Sequence, residues 1–298
     1  MATIGFVGLG HMGLPMAINL VKAGHKVTGF DLQESALQRF NAAGGIAAAH
    51  LNQAADGQEI IITMLQTGHQ VMHVCDGVDG LFNNARQNTL YIDCSTIDVA
   101  TARDIHQHAR DCELVSLDAP VSGGVAGAAA GTLTFMAGGE LLALERAQPI
   151  LSCMGQKIIH TGTAGSGQAA KICNNMILGI SMVGISEAFI LGEQLGLEAE
   201  KLFEVVSNSS GQCWAMSKYV PVAGILDNVP ANNDYKPGFA AAMMLKDLIL
   251  SQNTAQSVHI ATPLGAKTTE LYQKFVQEGH GDIDFSAIIK LIARETEV

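Results

Sequence analysis

The 298 residues carry 17 Lys and Arg against 28 Asp and Glu, a net charge of −11, and 48% of them are hydrophobic. At about 150 residues per domain the length accommodates two domains with sizeable cores, and the composition excludes an intrinsically disordered chain. The acidic balance and the lack of a basic run argue against a nucleic-acid partner, which needs clustered Lys and Arg, while leaving room for a small anionic substrate in a locally positive site.

In chain order the pattern predicts a strand at 3–8, a helix at 12–24 closed by glycine, a strand at 26–31 and a helix at 35–43. Further strands are expected at 59–65, 89–95, 114–120, 133–139 and 157–162, with helices near 68–75, 100–110 and 141–154. This alternation predicts an α/β, Rossmann-type, doubly wound and mostly parallel sheet over residues 1–163. From 168 to 195 there is no proline and apolar residues recur at helical spacing, which predicts a long helix of roughly 40 Å at 1.5 Å per residue. It is assigned to a connecting segment, 164–195. Its longest apolar run, 176–186, is shorter than the roughly 20 residues a membrane span needs and reads as a buried helix, with no membrane partner expected. Residues 196–298 are expected to form an all-α domain, broken by a loop at 211–239 rich in Pro, Asn and Gly. The cysteines are scattered, without C-x-x-C or histidines at ligand spacing, so no metal site or disulfide framework is expected. With the first strand starting at residue 3, no signal or transit peptide is expected ahead of it.

The chemistry-bearing motifs begin with GFVGLGHMG, which holds Gly8-x-Gly10-x-x-Gly13 between a predicted strand and a predicted helix. Gly8 permits the tight turn, Gly10 lets a diphosphate approach the backbone, and Gly13 lets helix and strand pack closely. His11 and Met12 lie in the same turn, where helix N–H groups and the helix dipole favour phosphate. Asp31 closes the second predicted strand with no arginine immediately beside it. A carboxylate there accepts from adenosine ribose hydroxyls and repels a 2′-phosphate, which favours NAD over NADP. Met64, Leu65, Ser95 and Thr96 follow two later strands, at the ends where open α/β sheets bind ligands. They are candidates to line the cofactor riboses, or equally ordinary loop residues.

GQAAKICNN places Lys171, Asn174 and Asn175 on one face of the long helix. A solvated face would show the same pattern. The helix begins where the predicted nucleotide domain ends, however, and a desolvated lysine with a lowered pKa can exchange a proton with an alcohol as hydride leaves its carbon. Between Pro120 and Thr132 the chain is nearly all Gly, Ala, Ser and Val. Ser122, Gly123 and Gly124 there could form a backbone nest for a carboxylate; a flexible lid is the alternative reading. Lys246–Asp247, taken alone, reads as a surface ion pair.

Four blocks in order, GFVGLGHMGLPMA (5–17), DAPVSGGVAGAAAGTLTFMAGG (118–139), GSGQAAKICNN (165–175) and KD (246–247), resemble the β-hydroxyacid dehydrogenase family. SSGQCW (209–214) and the following loop to GF (238–239) point to its 3-hydroxyisobutyrate dehydrogenase branch. The similarity covers nearly the whole chain. The resemblance implies Lys171 as catalytic acid/base and Asn175 as an orienting group. It implies Ser122, Gly123 and Gly124 on the substrate carboxylate, Lys246 near nicotinamide and substrate, and Trp214 and Phe239 around a methyl-bearing carbon, although those two also fit plain packing. It further implies NAD as cofactor, a homodimer or homotetramer built through the helical domain, which would also bear on the substrate, and a cytoplasmic bacterial protein. The implied reaction oxidises (S)-3-hydroxyisobutyrate to methylmalonate semialdehyde in valine breakdown. A short-chain semialdehyde reductase acting on tartronate semialdehyde, or a non-catalytic NAD-binding protein, are the alternatives.

Overall fold

Residues 1–295 are described by the computed structural model; 296–298, at the end of the expected helical domain, lie outside the described residues. The chain divides into two compact units, Met1–Lys171 and Ile172 onward. In the first, β1 (Thr3–Val7), β2 (Lys26–Phe30), β3 (Ile46–Ala47), β4 (Ile60–Thr63), β5 (Leu90–Asp93) and β6 (Val115–Asp118) run parallel in the order β3-β2-β1-β4-β5-β6. β7 (Val121–Ser122) and β8 (Leu133–Gly139) extend the sheet, with β8 antiparallel to β6 and β7, and β9 (Gly155–Gly162) parallel to β8. The helices are α1 (Gly13–Lys22), α2 (Glu34–Ala42), α3 (Gly68–Cys75), α4 (Leu81–Asn84), α5 (Val99–Asp111), α6 (Gly124–Ala130) and α7 (Leu141–Leu151).

The strands are apolar without interruption because both faces of the sheet are covered. In β4, Ile60 and Ile62 join one core with Phe6, Leu90 and Ile92, while Ile61 points to the opposite core with Val7 and Tyr91. Each such isoleucine, fully buried, contributes about 1.5–3 kcal/mol. α5 is closed onto its face by Ala102, Ile105, His106 and Ala109, at helical spacing, and opens on Asp98, whose side chain accepts from Thr101 N–H. The stretch from Pro120 to Thr132 is ordered: it supplies β7 and α6. α6 packs on α1, with Asn19 Nδ2 donating to Ala128 O at 2.8 Å, and on its other side a Cβ on buried Gly127 would meet Leu133 Cδ2 of β8 at 3.3 Å.

The helix α8 (Ser166–Gln194) is followed in the second unit by α9 (Ala199–Ser207), α10 (Trp214–Tyr219), α11 (Ala241–Ser257), α12 (Pro263–Phe275) and α13 (Ile289–Glu295). Its core gathers Met182, Phe189, Met244, Leu248, Tyr272, Phe275 and Phe285. Gly179 on α8 lets Leu248 of α11 approach; a Cβ there would meet Leu248 Cδ2 at 3.0 Å. By length and composition α8 is apolar enough to cross a membrane, which the 176–186 run alone does not indicate; Met182, Val183, Ile185 and Phe189 on it are buried in the unit's core. The expected loop 211–239 contains α10 and a 3-10 turn at Pro230–Asn233. Both are too short to carry a periodic signal.

Candidate active site

The strand order turns back on itself between β1 and β4, the place where open α/β sheets bind ligands. The glycine turn follows β1 and Met64–Leu65 follow β4. The three glycines answer different demands. Gly8 has φ +94°, and a Cβ on it would lie 2.3 Å from Met64 O. A Cβ on Gly13 would lie 1.9 Å from Gly8 O, so that glycine is what lets α1 pack back on the turn. A Cβ on Gly10 would meet nothing within 4 Å: its open side is space that a diphosphate can take. His11 is exposed and Met12 half-buried beside it, and α1 opens at Met12 with no side-chain cap hydrogen bond. These features fit a dinucleotide at the helix N-terminus.

Asp31 does structural work that the motif does not reveal. Its Oδ2 accepts Leu9 N–H at 2.6 Å and its Oδ1 accepts Gln33 N–H at 2.7 Å, tying the end of β2 to the glycine turn. Leu32 beside it is 89% exposed. Ser95 is fully buried; its Oγ accepts Leu65 N–H at 2.8 Å and its own N–H donates to Asp93 Oδ1 at 3.0 Å. Its hydroxyl therefore joins the ends of β4 and β5, while Met64, Leu65 and Thr96 remain half-buried. Burial pushes the Asp93 carboxyl up to about 6, against hydrogen bonds from Ser95 and Thr63 that favour its charged form.

Lys171 lies in the first unit, one turn into a helix whose start is anchored to strand ends. Asp118, at the end of β6, accepts Gly165 N–H at Oδ1 (2.8 Å) and Gln168 N–H at Oδ2 (2.9 Å). His106 Nε2 lies 2.9 Å from Asp118 Oδ1, and Ser116 Oγ lies 2.7 Å from His106 Nδ1. Lys171 is only 8% exposed, an environment that a helix lysine does not occupy cheaply. Ser122 ends β7 against Thr134, and Gly123 and Gly124 follow with φ +141° and +62° as the N-cap and first residue of α6. Side chains rarely adopt that backbone, so the glycines at 123 and 124 have a conformational reason apart from any ligand.

In the second unit Asn175 is 2% exposed, and its Nδ2 donates to Asp247 Oδ2 at 2.5 Å while its Oδ1 accepts from Asn174 Nδ2 at 2.9 Å. Lys246 Nζ lies 3.1 Å from Asp247 Oδ1. Asp247 is 3% exposed, which corrects the reading of Lys246–Asp247 as a surface pair: the carboxylate is buried and holds the Asn175 amide. Trp214, about half exposed, stacks on Tyr219, Tyr219 stacks on Phe285, and Phe239 meets the edge of Phe285. Trp214 and Phe239 thus belong to one aromatic row. Asp284, fully buried, anchors it by accepting Tyr219 OH, Gly238 N–H and Phe239 N–H at Oδ2 and both Ser286 donors at Oδ1. Burial first, and then the Asp284 charge, push the Tyr219 phenol well up. Asp118, Gln168, Asp247 and Asp284 are missed by the motif reading because their partners lie far away in sequence.

Residues 3–162 match the family model of the NAD binding domain of 6-phosphogluconate dehydrogenase, and residues 165–292 match the one described as NAD-binding of NADP-dependent 3-hydroxyisobutyrate dehydrogenase. Among similar proteins, the NAD-dependent L-serine dehydrogenase of Pseudomonas aeruginosa is 47% identical over 98% of each chain. The 3-hydroxyisobutyrate dehydrogenase of the same organism is 46% identical, again over 98% of each. The solved structure of Mycobacterium tuberculosis 3-hydroxyisobutyrate dehydrogenase with L-serine is 47% identical, with a TM-score of 0.93 over 98% of this chain and 99% of that one. The α/β sheet followed by a helical unit is therefore the fold of these relatives, and NAD is the cofactor class. The chain belongs to the 3-hydroxyisobutyrate dehydrogenase family.

Proposed function

We propose that this family member oxidises (S)-3-hydroxyisobutyrate to methylmalonate semialdehyde with NAD. The observation that carries the reading is Lys171: a buried amine, on a turn anchored to the ends of β5 and β6, in the unit that also holds the glycine turn. NAD would supply the hydride acceptor for the carbinol carbon. Gly8 to Gly13 would hold its diphosphate, with Gly10 leaving the room, and Asp31 would receive ribose hydroxyls and disfavour a 2′-phosphate. Lys171 Nζ takes the hydroxyl proton in oxidation and returns it in reduction. The reading assigns the substrate carboxylate to Ser122, Gly123 and Gly124, orientation to the Asn175 amide, positive charge to Lys246, and the apolar flank to Trp214 and Phe239. It retains a cytoplasmic homodimer or homotetramer, with no membrane or nucleic-acid partner.

A second reading, oxidation of L-serine, is favoured by the name of the P. aeruginosa relative and by the M. tuberculosis structure described with L-serine. Both substrates are 3-hydroxy acids and differ at C2, a methyl against an ammonium. Initial rates on 3-hydroxyisobutyrate, L-serine and, in reverse, tartronate semialdehyde, each with NAD and NADP, decide between them. 3-Hydroxyisobutyrate with NAD is expected to rank first by kcat/KM. L-serine in first place transfers the assignment to serine, and no turnover on any of them overturns the enzyme reading.

A further inference from the structure

We propose that Gln168 is a positioning residue whose side-chain amide locks the turn bearing Lys171 to the loop after β5, and so sets where the Lys171 amine stands; the proposal rests on Lys171 being the acid/base. Gln168 is fully buried. Its Nε2 donates to Ser95 O at 2.8 Å and its Oε1 accepts Ile97 N–H at 3.1 Å. One planar group thus makes two bonds to one loop, which restrains both sliding and rotation of the helix at that point. Lys171 follows Gln168 at i+3, on the same helix face. The loop that receives the amide is the one whose Ser95 hydroxyl accepts Leu65 N–H at the end of β4. The amide therefore references the lysine to the strand ends beside the glycine turn.

The rest of the helix start is fixed independently, which isolates what the amide adds. Asp118 takes the N–H groups of Gly165 and Gln168. Gly167 sits so close to the strands that a Cβ on it would lie 2.3 Å from Met136 O. These contacts hold the helix end down on the sheet, and Gln168 is left to govern the turn's rotation and register against the Ser95–Ile97 loop. A displacement on the order of 1 Å at a reacting group is enough to cost about a hundredfold in rate.

The test is a double-mutant cycle on kcat with Gln168→Met, which keeps the volume and removes both hydrogen bonds, and Lys171→Ala. Gln168→Met is expected to lower kcat about 10- to 100-fold with Lys171 present, and less than about twofold in the Lys171→Ala background, where nothing remains to position. The same loss in both backgrounds assigns Gln168 to general structure and overturns the proposal, as does an unchanged kcat. A Lys171→Ala enzyme running at the wild-type rate overturns the acid/base reading itself, and the positioning role with it. If Gln168→Met does not fold, Gln168→Glu keeps the acceptor for Ile97 N–H, loses the donor to Ser95 O, and enters the same cycle with the same two outcomes.

Discussion

Asp118 in the sheet unit and Asp284 in the helical unit are both buried carboxylates that collect backbone N–H groups, and they organise their surroundings differently. Asp118 stands at the end of a strand and receives the start of a helix, so two regular elements meet through it. Asp284 caps only the short 3-10 turn Phe285–Ile288, through Ser286 N–H, and otherwise gathers an irregular segment around itself, taking the backbone at Gly238 and Phe239 and the hydroxyls of Tyr219 and Ser286. In the sheet unit single side chains, Asp118 and Gln168, bond the helix start directly to the backbone at strand ends whose place is set by strand order. In the helical unit the candidate groups Asn175, Trp214 and Phe239 are positioned by side-chain networks around Asp247 and Asp284.

Four measurements break or sharpen that contrast. The largest effect is expected where rigid backbone meets chemistry: Lys171→Ala lowers kcat by about 10²–10⁴ while NAD affinity by titration stays within about twofold. An unchanged kcat would leave the anchored helix start without a chemical purpose. In the helical unit, Asp284→Ala removes the acceptor of five hydrogen bonds and should cost on the order of 3 kcal/mol. Urea unfolding followed by Trp214, the chain's sole tryptophan, reads this loss. A midpoint like the wild type's would mean that the irregular segment holds itself together without the carboxylate.

A pair of glycine variants tests the backbone side of the comparison. Gly8→Ala puts a Cβ against Met64 O in a left-handed conformation and should destabilise by roughly 2 kcal/mol. Gly10→Ala meets open space; its melting temperature should stay within about 2 °C, while the NAD Kd rises about tenfold, or about 1.4 kcal/mol. If Gly10→Ala binds NAD normally, the open side is not the diphosphate cradle.

A pH-dependent effect concerns Asp93, whose carboxyl is raised from 3.8 to about 6 by burial, with a further upward contribution from the Asp118 charge. A carboxyl raised on folding binds its proton more tightly in the folded state, so its unfavourable contribution sets in as pH rises from about 4 to 6 and is complete above that. Relative to Asp93→Asn, the wild type should therefore lose about 2 kcal/mol between pH 4 and pH 7, measured as a difference in unfolding free energy. A pH-independent difference would mean that Asp93 stays charged when buried.

The sheet unit was the more legible half. Uninterrupted apolar strands, the glycine turn and Asp31 are local patterns, and each mechanical demand they express acts over a few residues. The antiparallel course of β8 escaped because strand direction leaves no mark in an apolar run. β7 and α6 escaped because glycine and alanine carry no hydrophobic period. Lys171 and Asn175 could be picked out by spacing on one helix face, but not the groups that hold them. Gln168 reaches Ser95, and Asn175 reaches Asp247, across more than 70 residues. A polar side chain bonded to a distant partner looks in sequence like any surface residue. The two aromatic candidates were named by resemblance, and their shared row through Tyr219 and Phe285 depends on a chain reversal that no short window contains.

The run from Pro120 to Thr132 also carries a message about how such a chain is free to diverge. Gly123, Gly124 and Gly131 have φ of +141°, +62° and +66°, and Gly127 and Ala128 lie buried. Ala126, Ala129 and Ala130 face outward. Mutational drift should therefore be sharply uneven over a dozen neighbouring codons, with polar replacements accumulating at the three outward alanines while the glycines around them stand still. A monotonous composition here conceals positions with opposite fates.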